Sequence, residues 1–282
     1  MPFLLPLLAS LAIGTYTPEP QTTLASWELS GPVKQVTVKV EYFIDNHENP
    51  VNKELLDHYL GFDARGRLVG EASFWNDGDK TDGLFWGLAY DGQDRVTARI
   101  TLNPDKTVAA QTVYKYVDPG LTYAQYHKGS DNPLSSFEWK TSYAERDGRV
   151  EVVKSYSDPS QAEEAEVYTV DEDGHVLTDT PATMGEYDGI FAFTYRDGLM
   201  THMTRTGLKN YKTDDVAKKY DDHRLLIDLK KINYPTKSAE HYVYTYKFDD
   251  HGNWIEQDEF AVDDKGEQTA SKTTWRAIVY YG

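Results

Sequence analysis

Apolar and polar residues alternate with a period of two along most of this chain. Tyr242, Tyr244, Tyr246 and Phe248 alternate with Val243, Thr245 and Lys247, so one strand would carry four rings on one face. The same period recurs at Leu84, Trp86, Leu88 and Tyr90, and at Phe137, Trp139, Thr141 and Tyr143. It returns at Phe191, Phe193 and Tyr195, and at Val36, Val38, Val40, Tyr42 and Ile44. In the last strand, Trp275, Ala277, Val279 and Tyr281 oppose Thr274, Arg276, Ile278 and Tyr280. One apolar and one polar face per strand predicts an antiparallel sheet with a wet side.

Turn residues punctuate these strands. After Phe248 comes Asp249-Asp250-His251-Gly252, in which Asp opens a turn and Gly supplies a positive φ. This predicts a hairpin with a type I turn and a Gly bulge. Related turns hold Asp63 and Gly66, Asp91 (with Asp94 in the Gly place), Asp147 and Gly148, Gly174, and Asp197 and Gly198. The Gly-equivalent position falls at 66, 94, 120, 148, 174, 198, 224 and 252, in steps of 24 to 28 residues. Each step fits two strands and two turns, so about eight hairpins in series are expected, sharing a core between neighbours. The fold expectation is all-β: an extended, twisted antiparallel sheet or an open, barrel-like spiral. Residues 160–166 and 213–219 break the alternation. They read as loop insertions, the second as a short helix capped by Thr213.

Residues 1–14 form a short apolar run ending in small residues, which reads as a signal peptide and places the protein outside the cytoplasm, secreted or periplasmic. Residues 15–30 read as a linker, and 31–282 as a single β domain. The net charge of -17, from 46 acidic and 29 basic residues, excludes a nucleic-acid partner. Cysteine is absent, which removes disulfides, thiolate metal sites and cysteine nucleophiles. No segment reads as a membrane-spanning helix.

Residues 61–78 (GFDARGRLVGEASFWNDG) and 244–257 (YTYKFDDHGNWIEQ) resemble units of the YD-repeat, or RHS-repeat, family of exported bacterial proteins. Residues 31–36 and 275–281 also resemble the ends of short members. The resemblance spans roughly residues 31 to 281. It implies a spiralling sheet of β-hairpins, which large members wrap into a shell around a toxin or use in adhesion and carbohydrate contact. The repeats here are few and degenerate, so the resemblance carries the fold and not the cargo function.

No nucleophile elbow, phosphate loop or helical zinc motif occurs. The turn acids Asp171 and Asp173 resemble a fragment of a calcium loop without its downstream Asp and terminal Glu, so calcium is the one cofactor considered and none is the base expectation. Trp75, Trp86, Trp139 and Trp254 are the candidate ligand-binding rings, since exposed aromatics stack on sugars or protein partners. The turn residues have structural roles. The leading expectation is therefore an exported, non-catalytic binding or structural module with a protein or glycan ligand. The alternatives are a hydrolase on a β scaffold, using paired acids in a cleft, and an inhibitor of a basic secreted toxin, drawn by charge.

Overall fold

The computed structural model describes residues 23–43, 54–77, 80–103, 105, 107–116, 120–127, 135–146, 149–157, 164–171, 173, 175–181, 189–207 and 211–282. For 75–77, 80–82, 120–127, 135–146, 149–157, 164–166 and 181 the description covers the backbone alone. The expected leader, residues 15–22 of the linker, Asp147, Gly148, Gly174 and the side chains of Trp75 and Trp139 lie outside the described residues.

The chain is all-β. Its strands run β1 (Val33–Tyr42), β2 (Glu54–Phe62), β3 (Leu68–Asp77), β4 (Lys80–Tyr90), β5 (Val96–Leu102) and β6 (Val108–Tyr116). Then come β7 (Gly120–His127), β8 (Ser135–Arg146), β9 (Arg149–Ser157), β10 (Glu164–Val170), β11 (Val176–Pro181) and β12 (Gly189–Arg196). The last six are β13 (Leu199–Gly207), β14 (Lys212–Tyr220), β15 (Leu226–Asn233), β16 (Ser238–Phe248), β17 (Trp254–Val262) and β18 (Gln268–Tyr280). A 3-10 turn at Ala25–Trp27 precedes β1.

The strands fall into two compact units. The β1 unit holds, in pairing order, β16, β17, β18, β1, β2, β3, β4, β5 and β6, each antiparallel to the next. Its first strand in the chain therefore pairs on one side with its last. The β10 unit runs β8, β9, β10, β11, β12, β13, β14 and β15, again antiparallel throughout. Valine-rich alternation explains the core of the β1 unit: Val36, Val38, Val40, Leu55, Leu60, Phe62 and Leu68 are buried. Burying such a side chain contributes roughly 1.5–3 kcal/mol each. Tyr168, Val170, Val176, Leu225 and Leu229 do the same in the β10 unit.

Two expectations are corrected. Residues 213–219 lie in strand β14, not in a helix, because cross-strand pairing on both sides, with β13 and β15, outweighs local helix propensity. Residues 164–166 likewise begin β10 and pair with β9 and β11. In β18 the buried positions are Thr273 and Thr274, Arg276 is largely covered, and Val279 is exposed. The inward face is thus Thr274, Arg276 and Ile278, which oppose Val40, Val38 and Val36 of β1. Register with β1 decides the face.

Candidate functional site

The turn carboxylates come first, because they recur. Asp63 donates its N–H to the carbonyl of Arg67 and accepts the N–H of Gly66 at its own carbonyl. Its Oδ1 accepts the N–H groups of Arg65 (2.9 Å) and Arg67 (3.0 Å). Asp91, Asp221, Asp249 and Asp263 repeat this set. Asp171 makes the same two Oδ1 bonds, to Asp173 and His175. The left-handed position is Gly66 (φ 77°), Asp94 (62°), Arg224 (68°), Gly252 (78°) or Gly266 (84°). The Asp197-Gly198 turn departs from this plan. Its two loop residues both have positive φ, 53° and 72°, as in a primed two-residue hairpin. Sequence reasoning passed over the Asp263 turn, although Asp263-Asp264-Lys265-Gly266 carries the same signal.

The second carboxylate oxygen has a partner too. Arg67 Nε donates to Asp63 Oδ2 at 2.8 Å and Arg95 Nε to Asp91 Oδ2 at 2.9 Å. His175 Nδ1 lies 2.9 Å from Asp171 Oδ2, and Tyr280 donates to Asp249 Oδ2. At Asp63 burial works upward on the pKa, but the bonds from Arg67 and Arg65 outweigh it and hold the carboxyl below its ordinary value. At Asp91 the bond from the Arg95 backbone does most to lower it.

Where a tyrosine precedes the turn Asp, at Tyr90 and Tyr220, it ties that turn to its predecessor; Phe62, Val170, Phe248 and Val262 hold the same place in the other turns. Tyr90 donates to the carbonyl of Leu68 at 2.5 Å, and the Arg67 guanidinium sits 4.7 Å over the Tyr90 ring. In the β10 unit Tyr220 donates to the carbonyl of Met200 at 2.9 Å, and His175 stacks on Tyr195 at 4.7 Å. Burial, foremost, pushes the Tyr90 hydroxyl up to about 12, so it stays a donor at every physiological pH. A Tyr-Asp pair therefore does two jobs: Asp closes its own turn, and Tyr clamps the previous hairpin.

Asp171, Asp173 and His175 offer ligand atoms within 4.8 Å of one another. Asp171, however, makes the bonds that Asp63 and Asp91 make, and His175 stands where Arg67 and Arg95 stand. The set is the turn's own hydrogen-bonding chemistry, far short of the six to eight oxygens that calcium takes. Of the candidate tryptophans, Trp254 is buried beneath Arg276, whose guanidinium lies 3.4 Å from the ring centroid. Trp86 is half-buried, with Arg99 4.3 Å over its ring. The large aromatics most open to solvent among the described residues are Tyr211 (54%) and Tyr234 (42%), in the β10 unit.

A clasp joins the segment before β1 to the β16–β17 hairpin. Asn253, 2% exposed, accepts the N–H of Ser30 at 2.7 Å and donates to the Ser30 carbonyl at 2.9 Å and to Tyr280 at 2.8 Å. Trp254 Nε1 donates to Glu28 at 2.8 Å. Arg276 has Glu28 at 4.0 Å, a side chain only 9% exposed, and an Nη1 with no partner among the described residues. Burial pulls its pKa down to about 10.

On the same face of β1, Val38 opposes Arg276 on one side and His58 on the other. His58 Nδ1 lies 2.9 Å from Asp57 Oδ2, and Nε2 lies 3.0 Å from Ser73 Oγ. Adjacent strand residues normally point to opposite faces. Here the register slips between Val38 and Lys39, so Asp57 is the extra residue of a β-bulge and joins His58 on one face. Ser73 is the direct cross-strand partner of His58. Glu71 Oε1 is 3.8 Å from Nε2, and the Trp27 ring is 6.0 Å away. The hydrogen bond to Asp57, foremost, raises the His58 pKa against the opposing effect of burial, with the Glu71 charge adding to the rise. The sequence gives no sign of this trio, because the bulge that assembles it is a matter of register.

Together these features define an all-β protein of antiparallel hairpins tied by Asp turns and Tyr clamps. No protein-family model matches the chain, and no curated protein matches it. Among solved structures, a porin-like protein from Bacteroides uniformis ATCC 8492 aligns at 14% identity over 89% of this chain and 99% of that one, with a TM-score of 0.40. A porin-like protein from Bacteroides vulgatus ATCC 8482 aligns at 10% identity over 88% and 98%, with a TM-score of 0.30. A TcdB2-TccC3-TEV chain aligns at 11% identity over 72% of this chain and 15% of that one, with a TM-score of 0.20. TM-scores this low establish no common fold. No helix among the described residues is long and apolar enough to cross a membrane.

Proposed function

We propose that this chain is an exported scaffold of YD-repeat type that works by binding a protein or glycan partner. The observation that carries the reading is the fate of the turn carboxylates. Their oxygens are spent on turn N–H groups and on Arg, His or Tyr partners, so the repeat is a rigid framework and not a row of reactive acids. Tyr211 and Tyr234 supply the open rings, with the Lys212 ammonium 5.3 Å over Tyr234, a combination suited to stacking on sugar or peptide. Glycan-array and pull-down screens with residues 15–282, at low and high salt, test this. Capture that is lost in the Tyr211→Ala/Tyr234→Ala double variant supports the reading. No capture at either salt overturns it.

A second reading, hydrolysis on the same scaffold, is favoured by one observation: the hydrogen-bonded series Asp57, His58, Ser73.

A further inference from the structure

We propose that Ser73 is a nucleophile activated by His58 and Asp57, and that this face of β2 and β3 transfers acyl groups from small neutral or cationic carboxylic esters. The proposal deepens the second reading above and rests on it.

Three geometric facts support it. His58 Nδ1 lies 2.9 Å from Asp57 Oδ2 and Nε2 lies 3.0 Å from Ser73 Oγ, so in the neutral ring with its proton on Nδ1, facing the carboxylate, Nε2 is the acceptor for the Ser73 hydroxyl. That tautomer is the one a general base needs. The carboxylate reaches the imidazole only because of the bulge at Asp57, and bulges re-aim side chains beside reactive sites. The trio is also open to solvent: the side chain of His58 is 29% exposed and that of Asp57 40%. The series ends on a serine hydroxyl, a group that gains nucleophilicity when its proton has somewhere to go.

The chemistry balances without a further co-reactant except water. Ser73 Oγ bonds to the ester carbonyl carbon as its proton passes to His58 Nε2. The resulting imidazolium, paired with Asp57, returns that proton to the departing alkoxide as the carbon–oxygen bond breaks. Acyl-Ser73 and an alcohol result. Water, deprotonated by His58, then releases the carboxylic acid and restores the serine. Asp57 and Glu71 beside the imidazole repel anionic substrates, which selects neutral or cationic esters, and the Trp27 ring supplies an apolar wall.

The groups facing His58 are Asp57 from β2, Glu71 and Ser73 from β3, Val38 from β1 and Trp27 from the 3-10 turn. The two carboxylates favour the imidazolium, so the base form and the acylation rate emerge at a pH above the ordinary histidine value.

The test is acylation of the full chain by p-nitrophenyl acetate, followed by release of p-nitrophenol and by peptide mass spectrometry. The expected result is acetyl on Ser73, lost in Ser73→Ala. His58→Gln should slow the reaction on the order of 100-fold, the lower range for a general base. Asp57→Asn should move the pH midpoint of acylation downward, which a merely structural contact would not do. Circular dichroism and urea midpoints confirm that each variant is folded. Should any variant fail to fold, a fluorophosphonate probe on the unaltered chain decides by whether it labels Ser73. Acetyl groups on lysine or tyrosine alone, or an unlabelled Ser73, overturn the proposal and leave the binding scaffold standing. Failure of glycan or protein capture leaves the acylation result untouched.

Discussion

At the scale of single residues, the clasp shows how a few buried polar atoms fix the path of a segment. Asn253 answers both the N–H and the C=O of Ser30. Asn253→Ala would remove both bonds, at roughly 0.5–1.5 kcal/mol each, and we expect a clear fall in the urea midpoint, with an unchanged midpoint refuting that role. Arg276 is the opposite case. It is a desolvated cation with an unpartnered Nη1 among the described residues, and such groups are often replaced by apolar ones without loss. Arg276→Met should therefore match or exceed the parent in thermal stability, while Arg276→Lys, which keeps the charge but loses the planar stack on Trp254, should fall below it. Neither residue was legible in the sequence. Asn253 reads there as a plain residue after a turn, and Arg276 as one position in an alternating strand. What decides both is contact with residues more than 200 positions away, a separation of 223 for Ser30 and Asn253.

At the scale of elements, the hairpin turns were the most legible feature, because Asp and a left-handed residue three positions on leave a local signature. The same locality made β14 illegible as a strand, since its Thr-Asp-Asp opening mimics a helix start and only pairing with β13 and β15 overrides it. The turn carboxylates at Asp63, Asp91, Asp171 and Asp249 all have lowered pKa values. A carboxyl depressed by folding stabilises the fold fully above its unfolded pKa, and that stabilisation is lost as pH falls through the lower folded value. The urea midpoint should thus hold near neutrality and drop as pH falls below the ordinary Asp value of 3.8. Asp91→Asn, which keeps an oxygen for the turn N–H groups, should flatten that drop. Glycine substitutions separate backbone from packing. Gly66 and Gly252 both have positive φ, but a Cβ at Gly66 would lie 2.9 Å from Leu24 Cδ1, whereas Gly252 faces open space. Both Ala variants should cost about 1–2 kcal/mol from the backbone, with Gly66→Ala the more damaging in denaturant melts.

At the scale of the whole molecule, the charge of -17 sets the response to salt. Like charges repel in the compact state, and a Debye length near 10 Å at about 0.1 M screens them. Raising sodium chloride from about 0.01 M to about 0.5 M should raise the melting temperature, whereas a fall would mean that attractive pairs such as Arg67 with Asp63 and Asp94 dominate the balance. The pairing of β1 with β18 has a consequence in time. During synthesis the first strand emerges early, yet one of its neighbours consists of residues 268–280. Until those are made, the inner face of β1 can cover itself only from the β2 side, and its free edge is open to a wrong partner. The β1 unit therefore reaches its final form only after residues 268–280 have emerged, and a ribosome stalled a few residues short of β18 would hold a strand with an unclaimed edge.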